Sequence, residues 1–401
     1  MSASAGQTAT AAGAGVSPNP KVSARPAPGV RLGLFAAALA AGAATQLPLG
    51  GSPPVALAAM PVAFAVVVVS AAFLLWTSLR PRRPSGLALI PGLAASLGLA
   101  GASLAALDLP GVAGAAGSGF WSLAFAAWAG ASLMVSALAS QRPRSVAQAR
   151  FITIAVPVLF GAFLFYLWEI CVRAFAVPAV LMPAPSAISQ RIVGDLPMLG
   201  ADFVQTFLKG VLSGYAIGNI AGFVVAVAAD RVPFLRRGLL PLGQFVSALP
   251  IIGIAPIMVM WFGFDWPSKA AVVVVMTFFP MLVNAVAGLA SAGPLERDLM
   301  RSYGATWWQT LLKLRLPAAM PFLFNALKIN STLALIGAIV AEFFGTPIVG
   351  IGFRISIEAG RMALDMVWAE IALAAVSGTL FYGLVSLIER RATFWHASYR
   401  T

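Results

Sequence analysis

Residues 293–321 read G-P-L-E-R-D-L-M-R-S-Y-G-A-T-W-W-Q-T-L-L-K-L-R-L-P-A-A-M-P, a charged interval in a chain that is otherwise nearly hydrocarbon. Pro294 suits the first turn of a short helix, Glu296 and Asp298 favour its positive N-terminal end, Arg301 fits its last turn and Gly304 the left-handed stop. Thr306 and Gln309 make a capping-box pattern for a second helix, in which Trp307, Leu311 and Leu314 recur at helical spacing and which Pro317 brings towards its end. The prediction is helix, glycine corner, helix, a compact polar surface between membrane segments.

The surrounding composition fixes the class. With 60% hydrophobic and 10% charged residues and a mean hydropathy of +0.90, the chain has too little polar surface to cover a water-soluble globule. A net charge of +13 would point to nucleic acid in a soluble domain. Here the basic residues stand in short clusters between apolar runs, which is the positive-inside pattern of a membrane protein, and no nucleic-acid partner is expected. Cys171 has no intrachain partner, and His396, in the basic C-terminal tail, has no second histidine to hold a metal with it. No metal and no cofactor is expected.

Residues 1–29 are rich in Ala, Gly, Ser and Pro and are expected to be a disordered cytoplasmic tail. Apolar runs long enough to cross a bilayer lie near 32–48, 55–79, 86–107 and 119–139, then near 152–176, 203–229, 239–263, 269–291, 318–344 and 366–388. The expected fold is therefore an all-α polytopic membrane protein of about ten transmembrane helices. Arg142, Arg144 and Arg150 mark a linker, and the composition shifts after it, so a four-helix region at 30–145 and a six-span domain at 146–395 are predicted. With both termini cytoplasmic, nineteen of the 26 Lys and Arg fall on the inside, and only Arg173, Arg191, Arg354 and Arg361 outside. The same count puts 293–317 in the cytoplasm. Outside, Ser186 is placed to cap a short surface helix, and the glycine-punctuated 345–365 reads as a re-entrant or interfacial segment.

An acidic residue six positions before a glycine, then ten residues to an aliphatic and Leu-Pro after one spacer, resembles the cytoplasmic coupling loop of ABC importer permeases, the MetI-like binding-protein-dependent transport family. The matching positions are Asp298, Gly304, Leu314, Leu316 and Pro317, with Arg301 and Ala305 in the same loop, while Leu299 and Met300 replace the pattern's alanines. The P-x-P-S segment near 183–186 is similar to one in the nitrate, sulfonate and taurine branch. The resemblance, which spans about three fifths of the chain, implies a bacterial inner-membrane permease subunit carrying a small polar or anionic solute. It also implies two partners, a homodimeric ATPase docking on this loop and an extracytoplasmic solute-binding protein. Because one chain holds one coupling loop, a second permease subunit related by C2 symmetry is expected, with lipid around both. The chain has no G-x-x-x-x-G-K-[ST] phosphate loop, so ATP hydrolysis is assigned to a partner and no enzyme activity to this chain.

Ionisable and amide groups inside spans mark either packed interiors or aqueous pathways. Lys328, with Asn325, Asn330 and Thr332, makes the most polar span centre in the chain, and Glu342 and Glu169 are candidates for its ion-pair partner or for gates. A solute pathway and a structural role are both open for these six. Asn284, Gln244 and Lys209 read rather as helix-helix hydrogen bonders or snorkelling groups. The competing functions are a secondary transporter or channel, which leaves 293–317 unexplained, and an intramembrane enzyme, for which no metal ligands or nucleophile pair are legible.

Overall fold

A computed structural model describes residues 28–51, 53–79, 89–141, 143, 145–247, 250–345 and 348–395. The expected tail at 1–29 falls outside these but for its last two residues, and His396 and the arginines at 80, 82, 83, 142 and 144 lie outside as well. The described residues form helices and no β-strand. They fall into two compact units, Met1–Val177 and Pro178–Thr401. This division lies later than the composition shift near 145, because the helix that follows the linker packs with the first unit.

The first unit contains α1 (Pro28–Ala44), α2 (Pro61–Leu79), α3 (Leu89–Leu107), α4 (Ser118–Ala139) and α5 (Val146–Ala174). Small residues let α1 to α4 approach closely, and Leu34, Ala37, Ala41, Leu99, Phe120 and Ala127 are buried at their centre. A buried hydrogen bond of 2.8 Å between Ser103 and Tyr166 ties α3 to α5. At the end of α5, Arg173 pairs with Asp108 at 2.5 Å and with Glu169 at 3.5 Å. Cys171 is exposed and free, as a lipid-facing residue would be.

The second unit contains α6 (Pro185–Gly194), α7 (Leu196–Arg231), α8 (Pro233–Ser247), α9 (Ile251–Phe262), α10 (Trp266–Ala290), α11 (Pro294–Ser302), α12 (Trp307–Glu342), α13 (Ile351–Gly360) and α14 (Leu364–Ala392). Its centre is α10, packed between α7 and α12. Gly214, Gly218 and Gly222 recur every fourth residue on α7 and lie against α10, and a Cβ at Gly218 would stand 2.0 Å from Thr277 Oγ1. Only glycine permits that approach.

Among the described residues eight helices are long and apolar enough to span a membrane, against about ten expected. The first expected span is the shorter α1. The run at 239–263 is divided between α8 and α9 near Pro250, which precedes α9 in an extended conformation (ψ 120°). Pro250 has no backbone N–H to donate, and a short apolar helix starts directly after it; with α1 it accounts for the two expected segments that are not among the eight. Pro317 acts in the opposite sense, because the helix does not end near it. The turns at Leu311–Arg315 widen into a π-helical stretch just before Pro317, and α12 runs on without a break to Glu342. Such a widened turn accommodates the carbonyl that the proline ring displaces. Ser186 does not cap α6, which starts one residue earlier with Pro185 in its first turn.

Candidate functional site

The helix-corner-helix forms as its residues dictate. Pro294 opens α11, and Gly304 closes it at φ +66°. The Gly304 amide donates to Arg301 O (2.9 Å) and the Ala305 amide to Met300 O (3.0 Å), the paired closing bonds of a Schellman motif. Thr306 and Gln309 complete the capping box at 2.8 and 3.3 Å. Asp298 and Arg301 are exposed and face each other at 3.6 Å, a pair of little energetic weight.

Three anchors hold this loop to the unit. Arg315 donates to both carboxylate oxygens of Asp230, at the end of α7, at 2.6 Å each, and to Leu289 O at 2.9 Å. The Arg231 guanidinium lies 5.2 Å from the Trp307 ring centroid, a cation-π contact. Arg297 donates to Ala290 O at 2.6 Å. Leu311 is buried with Ala226, Leu282 and Leu289, whereas α11 buries no residue at all. Leu295, Leu299, Tyr303, Trp308 and Leu312 are each more than half exposed. The first three repeat every fourth residue along one face, an apolar row on a polar helix. Of the other loop positions, Leu314 and Leu316 are half-buried beside the anchors, and Ala305 is part of the glycine corner.

The six polar span residues separate into two kinds. Asn330 is buried and donates to Asn219 Oδ1 (2.6 Å) and Thr277 O (2.7 Å). Lys328 pairs with Glu389 of α14 at 2.7 Å, so its ion-pair partner is neither of the acids named from sequence. Glu342 stands fourteen residues further along the same helix, about 21 Å away at 1.5 Å per residue, and Glu169 is engaged with Arg173. Asn325 and Thr332 are exposed, in line with Phe322, Ile329 and Ile336 on one face of α12. The Asn325 amide donates to Asn284 Oδ1 of α10 at 3.3 Å. The side chain of Gln244 lies outside the described residues.

At the opposite end of the unit, buried side chains seat the start of α13. The Gly350 amide donates to Asp202 (2.5 Å), the Ile351 amide to Thr206 Oγ1 (2.8 Å) and the Gly352 amide to Glu342 (2.8 Å). Thr206 donates in turn to Glu342 at 2.8 Å, and Arg354 to Asp202 at 3.0 Å. Carboxylates suit these unpaired amides at a helix N-terminus. Lys269, buried, donates to Phe264 O (2.6 Å) and to Gly345 O. At the start of α10, Asp265 accepts from the Gln205 amide (2.9 Å) and the Trp266 N–H (2.7 Å), which hold its carboxyl below the usual carboxylate range. Within the segment expected at 345–365, α13 is thus a short helix pinned into the unit by its N-terminus. Asp202, Thr206, Asp230, Glu389 and Asn219 were not legible as members of these sites, since each is brought in by tertiary packing.

Residues 218–394 match the family described as binding-protein-dependent transport system inner membrane component. The chain is 31% identical over 243 residues to a formylaminopyrimidine transport permease of Halalkalibacterium halodurans, covering 60% of this chain and 95% of that protein. It is 28% identical to a riboflavin transport system permease of Chloroflexus aurantiacus, over 65% of this chain and 96% of the relative. Likewise it is 28% identical to a putative aliphatic sulfonates transport permease of Bacillus subtilis, over 60% and 88%. The match includes the loop anchored by Arg315 and Asp230. The chain belongs to the binding-protein-dependent transport family, and is a multi-pass inner-membrane permease subunit of an ABC transporter.

Proposed function

We propose that this chain couples ATP hydrolysis in a partner subunit to the inward passage of a small polar solute. The observation that carries the reading is the apolar row of Leu295 and Leu299 on α11 and Tyr303 at its C-cap; α11 buries nothing in its own chain and stands at the end where Arg231, Arg297, Arg301, Lys313 and Arg315 gather. An exposed apolar face on a helix without a buried side is what a docking partner would cover. The ATPase binds there as a homodimer, one subunit per permease of a two-fold pair, and both termini are cytoplasmic. The loop residues Asp298, Arg301, Gly304, Ala305, Leu314, Leu316 and Pro317 shape or support that surface.

The solute, delivered by an extracytoplasmic binding protein, passes along the exposed face of α12 that carries Asn325 and Thr332, with Asn284 beside them. Because Lys328 is matched by Glu389, it brings no net positive charge to this face. The relatives are named for a sulfonate, a flavin and a pyrimidine, so the class proposed is small polar solutes of the sulfonate, taurine and nitrate kind, with neutral heterocycles included. The test is reconstitution in proteoliposomes with a partner ATPase and a solute-binding protein, measuring ATP-dependent uptake of each class. Uptake that proceeds without any ATPase would overturn the coupling, and cysteine labelling of residues 293–317 only from outside would overturn the orientation.

A further inference from the structure

The seat of α13 contains one group that its hydrogen bonds do not use. Glu370, near the start of α14, is fully buried at 0% exposure. Its carboxyl faces Asp202, with Arg354 and Glu342 close by, yet neither of its oxygens has a hydrogen-bond partner of ordinary geometry among the described residues. The donors of the seat are spent on its neighbours: Asp202 takes the Gly350 amide and Arg354, and Glu342 takes Thr206 and the Gly352 amide. The groups facing Glu370 are therefore Asp202 from α7, Glu342 from α12 and Arg354 from α13, with Lys269 of α10 beside Glu342. At the start of α14, Arg191 of α6 stands 3.8 Å from Asp365. Three buried carboxyls thus share two cations. An ionised carboxylate without donors, next to a second carboxylate, is the arrangement a buried site does not hold, and a neutral carboxyl that donates its O–H to the neighbour is the one it does.

We propose that Asp202 and Glu370 are a proton-binding pair that carries one proton, held on Glu370 and directed at Asp202, and that this proton completes the seat of the α13 N-terminus. Loss of the proton leaves two adjacent negative charges in the seat and loosens α13 from α7 and α14. The inference rests on the geometry of this end of the unit and is independent of the transport reading.

The experiment uses the purified full chain in detergent and Glu370→Gln, whose amide has the shape of the neutral acid and can donate to Asp202. The expected result is an infrared band of a protonated carboxyl in the wild type that is missing in Glu370→Gln, with the two proteins assembling and melting alike. The proposal is overturned if the band survives the substitution, or if the glutamine variant does not assemble, since that outcome would mean that the ionised carboxylate is the form required.

Discussion

Arg315 grips Asp230 through two parallel bonds of 2.6 Å, joining residues 85 apart in sequence and fastening the first turns of α12 to the end of α7. Both side chains are largely buried, 13% and 8% exposed. Removing one partner of such a pair strands the other charge and costs about 3–5 kcal/mol. Asp230→Ala should therefore lower unfolding stability by that order, and Asp230→Ala with Arg315→Met should recover much of it. Denaturation in detergent across the double-mutant cycle is the measurement, and additive losses would show that the pair is not coupled.

Gly304 has a left-handed backbone and open space around it, so a substitution there is limited by conformation and not by contact. Gly304→Val should cost about 1–2 kcal/mol locally and turn α11 away from its position, while Gly304→Asn, which tolerates this conformation, should be close to neutral. Co-purification of the ATPase with each variant reads the difference. Equal retention by the valine protein would make this corner a simple connector.

The apolar row makes a sharper case for docking. Leu299→Asp and Tyr303→Glu touch no buried neighbour and should leave stability within about 0.5 kcal/mol. Each should weaken ATPase binding by roughly 2 kcal/mol or more, about thirtyfold, if these side chains anchor the interface. Titration of the ATPase against the permease checks this, and unchanged affinity in both variants would remove the row from the interface.

Lys328→Met leaves Glu389 buried and unpaired, so the single variant should be destabilised by about 3–5 kcal/mol and Lys328→Met with Glu389→Gln should be rescued. By contrast, Asn325→Leu and Thr332→Val, on the exposed face of α12, should melt like the wild type and change solute uptake. If Lys328→Met folds normally and uptake alone fails, the lysine belongs to the pathway and not to the scaffold.

The helix-corner-helix was largely readable from sequence because its determinants are local. Pro294, Gly304 and the Thr306–Gln309 box act within a turn of where they stand, and all three do in the structure what their chemistry predicts. The anchors were not readable, for the opposite reason. Asp230, Glu389 and Asn219 meet their partners across 85, 61 and 111 residues, distances over which periodicity carries no information. Hydrophobicity summed over 239–263 could not register the interruption at Pro250, which acts at one residue. At Pro317 the local rule failed because the chain absorbed the proline in a wider turn. Asn330 was noticed for its polarity, but polarity alone does not tell a buried hydrogen bond from a lining group, and the same holds for Glu342.

Since α12 is continuous from the capping box at Thr306 to the carboxylate of Glu342, it is one rod of 36 residues, about 54 Å long at 1.5 Å per residue. One tip lies in the helix-corner-helix proposed for docking and the other in the seat of α13. A rod of this length pivoting by about 5° at its middle displaces each tip by roughly 2 Å in opposite directions, comparable with the spacing of a hydrogen bond. A partner that tilts the tip at Thr306 therefore strains the bonds of the tip at Glu342 mechanically, without a relay of side chains between them. The compliant places along the rod are the widened turns at Leu311–Arg315, next to the load, and so the stiffness of that short stretch sets how much of the stroke reaches the far side.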